Sequence, residues 1–204
     1  MDYILAPPGN AVKLFNEKNL SNWQTRNGNP AGWEVKDGIM HVVPGAGDIM
    51  TKEKFTDFYL HLEWMEPDMP DAKGQGKGNS GVFLQGRYEI QVLDSYGLEP
   101  PGKGDCGAIY NQYAPLVNAC QPPLQWQSYD MVFRAARPDS NAKVTIFQNG
   151  MVIHNNVTTD GITGGAIDEK VLEPGPLLLQ DHGNLLKFRN VWVVELPLKG
   201  SDKY

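Results

Sequence analysis

A chain of 204 residues with a formal net charge of −6 is long enough for one large β domain and has little attraction for polyanions. Lysine and arginine are nowhere clustered, which argues against a nucleic-acid partner or an anionic membrane surface. No apolar run approaches the ~18 residues that a membrane-spanning helix needs. The 22 glycines and 15 prolines are scattered between aromatic and β-branched runs, so they indicate turns rather than disorder. We therefore expect one domain over residues 1–204, with a core from about 14 to 196. Nothing in the sequence indicates an oligomeric state.

Two features of the sequence bear on the cellular compartment, namely the N-terminus and two cysteines. Met1–Pro8 has no basic start followed by an apolar stretch, so either the protein is cytoplasmic or a signal peptide has been removed. Cys106 and Cys120 lie in a segment rich in Gly, Pro and Asn. A disulfide between them would stabilise the fold by roughly 3 kcal/mol and would indicate an oxidising compartment. The alternative is two unrelated buried thiols, since cysteine often packs as a small hydrophobic residue. We expect the disulfide.

Period-2 alternation of apolar and polar residues recurs along the chain, while stretches with a 3.6-residue period are almost absent. Two hairpins are predicted over Gly32–Val43 and Val144–Asn155, which turn at an Asp-Gly pair and an Asn-Gly pair, respectively. Phe58–Met65 alternates cleanly, so its apolar and polar side chains should take opposite faces. Five further strands are predicted at Gly81–Leu84, Tyr88–Leu93, Asp130–Ala135, Leu177–His182 and Phe188–Leu196. About ten short strands joined by turns predict an all-β sandwich or barrel.

Two segments lack the strand pattern and are predicted to be loops. Pro67–Gly78 is polar and contains several glycines and prolines. Tyr96–Gln125 spans about 30 residues rich in Gly, Pro and Asn. A structureless segment of that length inside a compact domain usually has a functional role. We therefore expect this second loop to border a binding site.

The strand Tyr88–Leu93 has an apolar face and a polar face. Its polar face carries Glu89 and Gln91, with Arg87 immediately before the strand. Other predicted strands carry further polar pairs, namely His61 with Glu63, Gln180 with His182, and Asp130 with Arg134. Several strands bearing hydrogen-bonding groups are typical of the floor of a groove for a neutral sugar. The alternative is that each polar face is ordinary solvent-exposed surface.

Sugar sites also use aromatic rings as flat stacking surfaces. The candidates for this role are Trp64, Tyr110 and Trp126.

The run from Glu89 to Asp94 is similar to the E-x-D-x-x-E strand signature of laminarinase-type glycoside hydrolases. Retaining hydrolysis requires two carboxyl groups about 5–5.5 Å apart. Here Gln91 stands at the middle acidic position and Asp94 at the last. Without a bulge in the strand, Asp94 would point away from Glu89, so the motif by itself is a weak indication of hydrolysis.

Metal binding is a further hypothesis. His61, Glu63, Glu89 and His182 are of the ligand types that suit Mn, Fe or Zn, although their spacing forms no local metal motif. A divalent ion such as Mn, Zn or Ca therefore stays open as a cofactor. The sequence contains no Ser-His-Asp arrangement, phosphate loop or dinucleotide-binding fingerprint.

Long segments of the chain resemble the 3-keto-disaccharide hydrolase family. The resemblance is carried by LFNEKNLSNWQ, WEVKDGIM, TKEKFTDFYLHLEW, NSGVFLQGRYEIQVLDS, CGAIYNQYAPLVNACQPPLQWQSYDMVFRAAR and GPLLLQDHGNLLKFRNVWV, from about Leu14 to Leu196. It implies a concanavalin A-like lectin/glucanase fold, which is a jelly roll of two packed antiparallel sheets. It also implies action on glycosides oxidised at C3 of a glucose-type ring, and export to the periplasm or the exterior. The residues inside matching motifs are Lys52, Glu63, Asn79, Arg87, Glu89, Gln91, Asp94, Tyr110, Asp130 and His182.

A ketone at C3 acidifies the proton at C2, so a base can remove that proton and expel the C1 substituent by β-elimination. Water then adds back, which completes a net hydrolysis. We assign His182 or Glu89 as the base and Arg87 or a metal as the group that stabilises the enolate oxygen. Asp94 or Glu63 would act as the acid. The remaining polar and aromatic candidates, Lys52, Trp64, Asn79, Gln91, Tyr110, Trp126, Asp130 and Gln180, would bind substrate.

Two other functions stay open at this point. Direct hydrolysis by two carboxylates would need a partner for Glu89. A carbohydrate-binding module without turnover would keep the aromatic platforms, since this fold also hosts lectins.

Overall fold

The computed structural model describes residues 5–198, which form two antiparallel β-sheets. The strands are β1 (Val12–Lys13), β2 (Trp23–Thr25), β3 (Glu34–Lys36), β4 (Ile39–His41), β5 (Ile49–Thr51), β6 (Phe58–Met65), β7 (Asn79–Leu84), β8 (Tyr88–Leu93), β9 (Gln127–Arg134), β10 (Lys143–Gln148), β11 (Met151–Thr158), β12 (Leu178–Leu179) and β13 (Lys187–Glu195). A short 3₁₀ turn lies at Gly74–Gly76. No helix in this part of the chain is long and apolar enough to cross a membrane.

The larger sheet has eight strands in the order β11-β10-β9-β6-β13-β4-β3, with β1 also paired to β13. The smaller sheet has five strands in the order β2-β5-β12-β7-β8. The all-β, two-sheet antiparallel sandwich predicted from the sequence is therefore confirmed.

The core lies between the sheets and is built by the predicted alternation. On β6, the apolar side chains from Phe58 to Trp64 are almost fully buried in it. On β8, Tyr88, Ile90 and Val92 belong to the same core. The side chains between them must point outward, because successive residues of a strand face opposite sides. Burial of one face thus determines which polar groups reach the outer surface of each sheet.

Both predicted hairpins form, as β3–β4 and β10–β11. The turn residues Asp37 and Gly38 have φ values of 53° and 75°, and Asn149 and Gly150 have 51° and 79°. Two consecutive positive φ values are the signature of a type I′ turn, which matches the twist of the flanking strands.

The prediction that the polar faces of these strands form the floor of one groove is wrong. β6 and β9, which carry His61, Glu63 and Asp130, belong to the eight-stranded sheet, whereas β8 carries Glu89 and Gln91 in the five-stranded sheet. The two polar faces therefore lie on opposite outer surfaces of the sandwich. Alternation determines the side to which a residue points, but it carries no information about the sheet that a strand joins.

Loops cover the outer face and the free edge of the five-stranded sheet. From the predicted 96–125 loop, residues 107–110 hydrogen-bond to β8 through N–H groups of Gly107 and Tyr110, which donate to Gln91 and Glu89 carbonyls at 2.9 and 3.1 Å. From residues 160–176, Thr163 and Ile167 donate to the carbonyls of Arg87 and Gly86 at 2.9 Å. These contacts pair the edge that β8 would otherwise expose.

Three short strands and several boundaries differ from the sequence expectation, since β7 and β9 begin two and three residues earlier than predicted. β1, β2 and β5 were not predicted, since each has only two or three residues and shows too little alternation to detect. The strand expected at Leu177–His182 is limited to β12, Leu178–Leu179.

Candidate functional site

Glu89 is a buried carboxyl group on the outer face of the five-stranded sheet. Only 5% of its surface is exposed, and neither carboxylate oxygen accepts a hydrogen bond from residues 5–198. Burial raises the pKa of Glu89 to about 7, and the negative charge of Asp48 adds to that shift. A carboxyl group that exchanges its proton near neutral pH can act as a general base or a general acid.

Gly81 provides the surface on which the Glu89 side chain lies. The two residues are on neighbouring strands, with Phe83 directly opposite Glu89 and Gly81 opposite Gln91. A Cβ atom at Gly81 would stand 2.6 Å from Glu89 Oε1 and 2.9 Å from the Phe83 ring. The carboxyl group therefore packs against the bare backbone of β7, where a side chain would displace it.

A row of polar groups continues from Gly81 across the same face. Gln180 follows β12, and its backbone N–H donates to the Gly81 carbonyl at 3.0 Å. Asp48 precedes β5 and accepts a hydrogen bond from Arg26 Nε at 2.7 Å. Arg26 also donates to the carbonyl of Gly165, in the loop that covers Phe83. Arg26 is thus a cation close to this face, and it was not predicted because β2 and β5 were not recognised.

Arg87 does not act as predicted, since its guanidinium group is already occupied. Its Nε donates to Asp168 Oδ1 at 2.6 Å, and its Nη1 donates to the Glu173 carbonyl at 2.8 Å. The side chain is buried, and its hydrogen bond, followed by its charge, lowers the pKa of Asp168. Arg87 therefore fastens the 160–176 loop to the sheet and is not free to bind an enolate oxygen.

Asp94 and His182 form no hydrogen bond with Glu89 within the described residues. The β7–β8 ladder runs without a register shift, so Asp94 points away from Glu89. Asp94 pairs with Lys77 at 2.9 Å instead. His182 is exposed in the turn after β12, and its ring makes no hydrogen bond or ion pair within the described chain. No hydrogen bond or ion pair among the described residues joins Glu89, Arg87 and His182, and Arg87 is bound to the 160–176 loop instead.

The other predicted residues of the five-stranded sheet have different surroundings. Asn79 and Gln91 are buried and hydrogen-bond to the Gln75 carbonyl and side chain at 3.1 Å, which holds that loop on the sheet. Tyr110 lies beside the β8 edge and is partly exposed. Lys52 lies at the end of β5 in a small surface cleft of about 130 Å³.

A second polar group of residues occupies the outer face of the eight-stranded sheet. His61 Nδ1 lies 2.8 Å from Asp130, and Glu63 accepts from Arg189 Nε at 2.6 Å. Burial alone would lower the pKa of His61, but its hydrogen bonds to Asp130 and Glu63 outweigh burial and raise it. Burial likewise opposes ionisation of Glu63, but hydrogen bonds from His61, Asn190 and Arg189 lower its pKa.

These residues line a cleft of about 510 Å³. Trp126 lies in it, with the Arg189 guanidinium 3.9 Å from the centre of the indole ring. Glu63, Trp126 and Asp130 are therefore together as predicted, but they are on the opposite face from Glu89.

Trp64 cannot serve as a sugar platform. It faces the core, is fully buried and packs on Tyr129 at 4.2 Å between ring centres. Its indole N–H donates to Glu66 at 2.9 Å, and Gln127 donates to the other oxygen of Glu66 at 2.6 Å. Burial raises the pKa of Glu66 to about 7. Sequence reasoning missed this second buried acid, because it lies just beyond the alternating segment.

The predicted disulfide is not formed. Cys106 and Cys120 are free thiols, although the Gln148 amide lies 3.5 and 3.4 Å from the two sulfurs. Cys106 Sγ instead contacts the Tyr129 hydroxyl at 3.3 Å. Burial raises the pKa of the Cys106 thiol, which keeps it in the neutral form.

The predicted metal set is also divided between the two faces. His61 and Glu63 are on the eight-stranded sheet, whereas Glu89 and His182 belong to the other side. Within residues 5–198, no group of three or more His, Cys, Asp or Glu side chains is arranged to hold an ion.

An antiparallel β-sandwich hosts many functions, so the fold and the buried acid on its outer face do not by themselves define an activity. Comparison with known sequences makes the assignment specific. The chain belongs to the family described as the 3-keto-alpha-glucoside-1,2-lyase-like domain, whose model matches residues 10–194. The family resemblance seen in the sequence is therefore confirmed.

Three solved structures from Parabacteroides distasonis, each described as a proposed glycosyl hydrolase, are similar to this chain. The first is 37% identical, with a TM-score of 0.83, and the match covers 96% of this chain and 94% of the other chain. The second is 23% identical with a TM-score of 0.70, covering 92% and 94% of the two chains. The third is 22% identical with a TM-score of 0.65, covering 91% and 99%. No curated protein matches the chain. The family and the first structure assign the chain a carbohydrate-active, glycosyl hydrolase-like role.

Proposed function

We propose that this protein cleaves the glycosidic bond of 3-keto-glycosides, with Glu89 as the general base. The observation that carries this proposal is the Glu89 carboxyl group, which is buried, accepts no hydrogen bond from the described residues and has its pKa raised to about 7. The family description, a 3-keto-alpha-glucoside-1,2-lyase-like domain, supports the choice of an oxidised sugar and of an elimination across C1 and C2.

The reaction has two steps, an elimination and a hydration. The Glu89 carboxylate takes the proton from C2, the C2 electron pair forms the C1–C2 double bond through the enolate, and the C1–O bond breaks. The leaving alkoxide takes this proton back from Glu89 and departs as an alcohol, which restores the Glu89 carboxylate and leaves a 2-hydroxy-3-keto-glucal. Water then adds across the double bond, with hydroxyl at C1 and a proton at C2, so the net change is hydrolysis. The 3-keto group is needed because the C2 proton becomes acidic enough for Glu89 to remove only through the neighbouring ketone.

Arg26 takes the role that the sequence assigned to Arg87. Negative charge develops on the C3 oxygen of the enolate, and a fixed cation there stabilises the transition state. Arg26 is held by Asp48 and by the Gly165 carbonyl beside the Glu89 face, and about a third of its side chain is exposed. Unlike the Nη1 of Arg87, its Nη1 donates to none of the described residues. Gln180 and Tyr110 are the neighbouring groups that could bind sugar hydroxyls.

Replacement of Glu89 by Gln tests the proposal. The amide keeps the shape of the side chain but cannot accept a proton, so kcat on 3-keto-trehalose should fall by on the order of 10²–10⁴. The matched control is Glu169→Gln, an exposed carboxyl in the neighbouring loop, which should keep wild-type turnover. Unmodified trehalose serves as the second substrate and should not be cleaved.

Two results would overturn the proposal. Near wild-type turnover by Glu89→Gln would exclude Glu89 as the base. If the wild-type protein cleaves neither 3-keto-trehalose nor trehalose, the alternative of a carbohydrate-binding module replaces the enzyme.

We also propose a periplasmic or extracellular location. Its support is the resemblance to an exported family alone, because the two cysteines are free thiols in the structure.

A further inference from the structure

The cleft on the eight-stranded sheet lies on the far side of the core from Glu89. Its volume of about 510 Å³ falls within the usual range for sites that bind small molecules. In the strand register, Glu63 on β6 lies opposite Arg189 on β13 and opposite Ser128 on β9. His61 on β6 lies opposite Asp130 on β9. The floor is formed by the paired strands β13, β6 and β9, with one bulge in β13 between Arg189 and Trp192, so its polar groups are held on strands rather than on loops.

Several polar atoms of the cleft have no partner among residues 5–198. Arg189 uses its Nε for Glu63, and its two terminal nitrogens donate to no acceptor. Asp130 accepts from Tyr59 and His61 through Oδ1 only, which leaves Oδ2 unpaired. The Ser128 hydroxyl on the same floor is also unpaired, although its backbone N–H donates to Asn149 at 2.9 Å. The floor thus presents donors, a hydroxyl and an acceptor in fixed positions.

The cleft carries groups of both charge signs. Glu63 and Asp130 are carboxylates and Arg189 is a cation. Hydrogen bonds to both carboxylates outweigh burial and raise the pKa of the His61 imidazole between them. The rim adds the neutral amides of Gln121 and Gln125. Such a set can pair both with the hydrogens and with the oxygens of hydroxyl groups.

We propose that this cleft is a second carbohydrate site, which binds a neutral disaccharide through Arg189, Ser128 and Asp130 beside the Trp126 indole. Adjacent sugar hydroxyls each donate and accept, which matches the alternation of free guanidinium N–H groups, the Ser128 hydroxyl and Asp130 Oδ2. Aromatic side chains commonly line sugar sites, and Trp126 is fixed here by the guanidinium stacked on it. The site is independent of the chemistry proposed at Glu89.

The indole N–H signals of ¹⁵N-labelled protein report on this cleft selectively. The chain has five tryptophans, at positions 23, 33, 64, 126 and 192. Of these only Trp126 lines the cleft, and Trp126→Phe identifies its signal by loss. Addition of trehalose, maltose or cellobiose to millimolar concentration should shift the Trp126 signal in a saturable way, while the signals of the core residues Trp23, Trp33 and Trp64 stay in place.

Ser128→Tyr and Val132→Tyr form a matched pair of variants. Both positions are on the outer face of β9, but only Ser128 lines the cleft. Ser128→Tyr should weaken binding at least about tenfold, a loss of roughly 1.4 kcal/mol, and Val132→Tyr should bind as the wild type does. The other indole signals show whether each variant is folded.

Three outcomes would overturn the proposal. One is a Trp126 signal that none of the three disaccharides moves. Another is equal binding by Ser128→Tyr and the wild type. The third is tighter binding of galacturonate or glucosamine than of the neutral sugars, which would show that the cleft selects charge.

Discussion

Two buried glutamates of this protein have a similarly raised pKa but different surroundings. Glu66 is held by the Trp64 indole and the Gln127 amide, so both of its oxygens have donors. Glu89 has a pKa raised to about 7 without such donors, because burial and the charge of Asp48 act on an unpaired carboxyl group. A catalytic base must be free to take a proton from substrate. Glu89 meets that condition, whereas Glu66 is committed to the core.

The pH dependence of turnover should show the ionisation of the Glu89 carboxyl group. The base is active as the carboxylate, so kcat/KM on 3-keto-trehalose should rise with pH through about 7 and level off above it. Below that value it should fall by about tenfold per pH unit, because only the ionised fraction reacts. A series of initial-rate measurements from acid to mildly alkaline pH checks this. A flat profile, or one that falls as pH rises through 7, would contradict the assignment.

At the scale of elements, the β7–β8 ladder places Glu89 on Gly81. The register puts Gly81 next to Glu89 on the outer face, and no side chain separates the carboxyl group from the backbone. The position of the base thus depends on a residue that has no functional group of its own.

Gly81→Ala should lower activity without removing any reactive group. The new Cβ would stand 2.6 Å from Glu89 Oε1, so the carboxylate must move. A displacement of about 1 Å at a catalytic group can cost on the order of 10² in rate, and we expect a fall in kcat of that size. Gly76→Ala is the control, since a Cβ there meets nothing within 4 Å. Wild-type kcat in folded Gly81→Ala would show that this contact does not position the base.

The 160–176 loop is the second element that shapes the site. Thr163 Oγ accepts the Glu89 backbone N–H at 2.8 Å, and Arg87 fastens the loop through Asp168. The loop therefore contributes to the burial that raises the Glu89 pKa.

Asp168→Ala should loosen this loop and admit water to Glu89. The pKa seen in the pH–rate profile should then move down, toward the ordinary value of a glutamate, with a smaller change in the rate at alkaline pH. Glu169→Ala removes an exposed neighbouring carboxyl group and should leave the profile unchanged. An unshifted profile in Asp168→Ala would show that the loop does not control the hydration of Glu89.

Strand periodicity predicted much of the fold and one central residue of the candidate site. The alternation in Phe58–Met65 and Tyr88–Leu93 correctly gave both strands and the outward direction of Glu89. It could not give the partners of Arg87, because Asp168 is 81 residues away and its approach depends on the loop. It also could not separate the His61 face from the Glu89 face, since hydrogen-bond pairing between strands is a long-range property.

At the scale of the whole molecule, one core supports two polar faces with different properties. On the eight-stranded sheet, the carboxylates have hydrogen-bond partners, Asp130 with His61 and Glu63 with Arg189, which offset part of the cost of burying them. On the five-stranded sheet, Glu89 is buried without a partner from the described residues, and ionising it costs folding free energy. A reactive group that destabilises the fold is the usual compromise between stability and activity.

This compromise predicts how stability changes with pH. The folded protein holds the Glu89 proton up to about pH 7, whereas the unfolded chain releases it near 4.5. Between these values the folded state binds more protons, so the free energy of unfolding falls as pH rises through the window. Glu89→Gln removes this contribution and should be more stable than the wild type at pH 8 by on the order of 1–3 kcal/mol.

The advantage should shrink as pH falls toward 5, where the wild-type carboxyl group is neutral in the folded protein. Other groups with shifted pKa values, such as Glu66 and His61, are common to both proteins and cancel in the difference. Urea unfolding of wild type, Glu89→Gln and the exposed control Glu169→Gln at pH 5 and pH 8 measures the effect. If the difference in unfolding free energy between wild type and Glu89→Gln is the same at both pH values, Glu89 is ionised in the folded protein at little cost. The basis for its role as a base near neutral pH would then be lost.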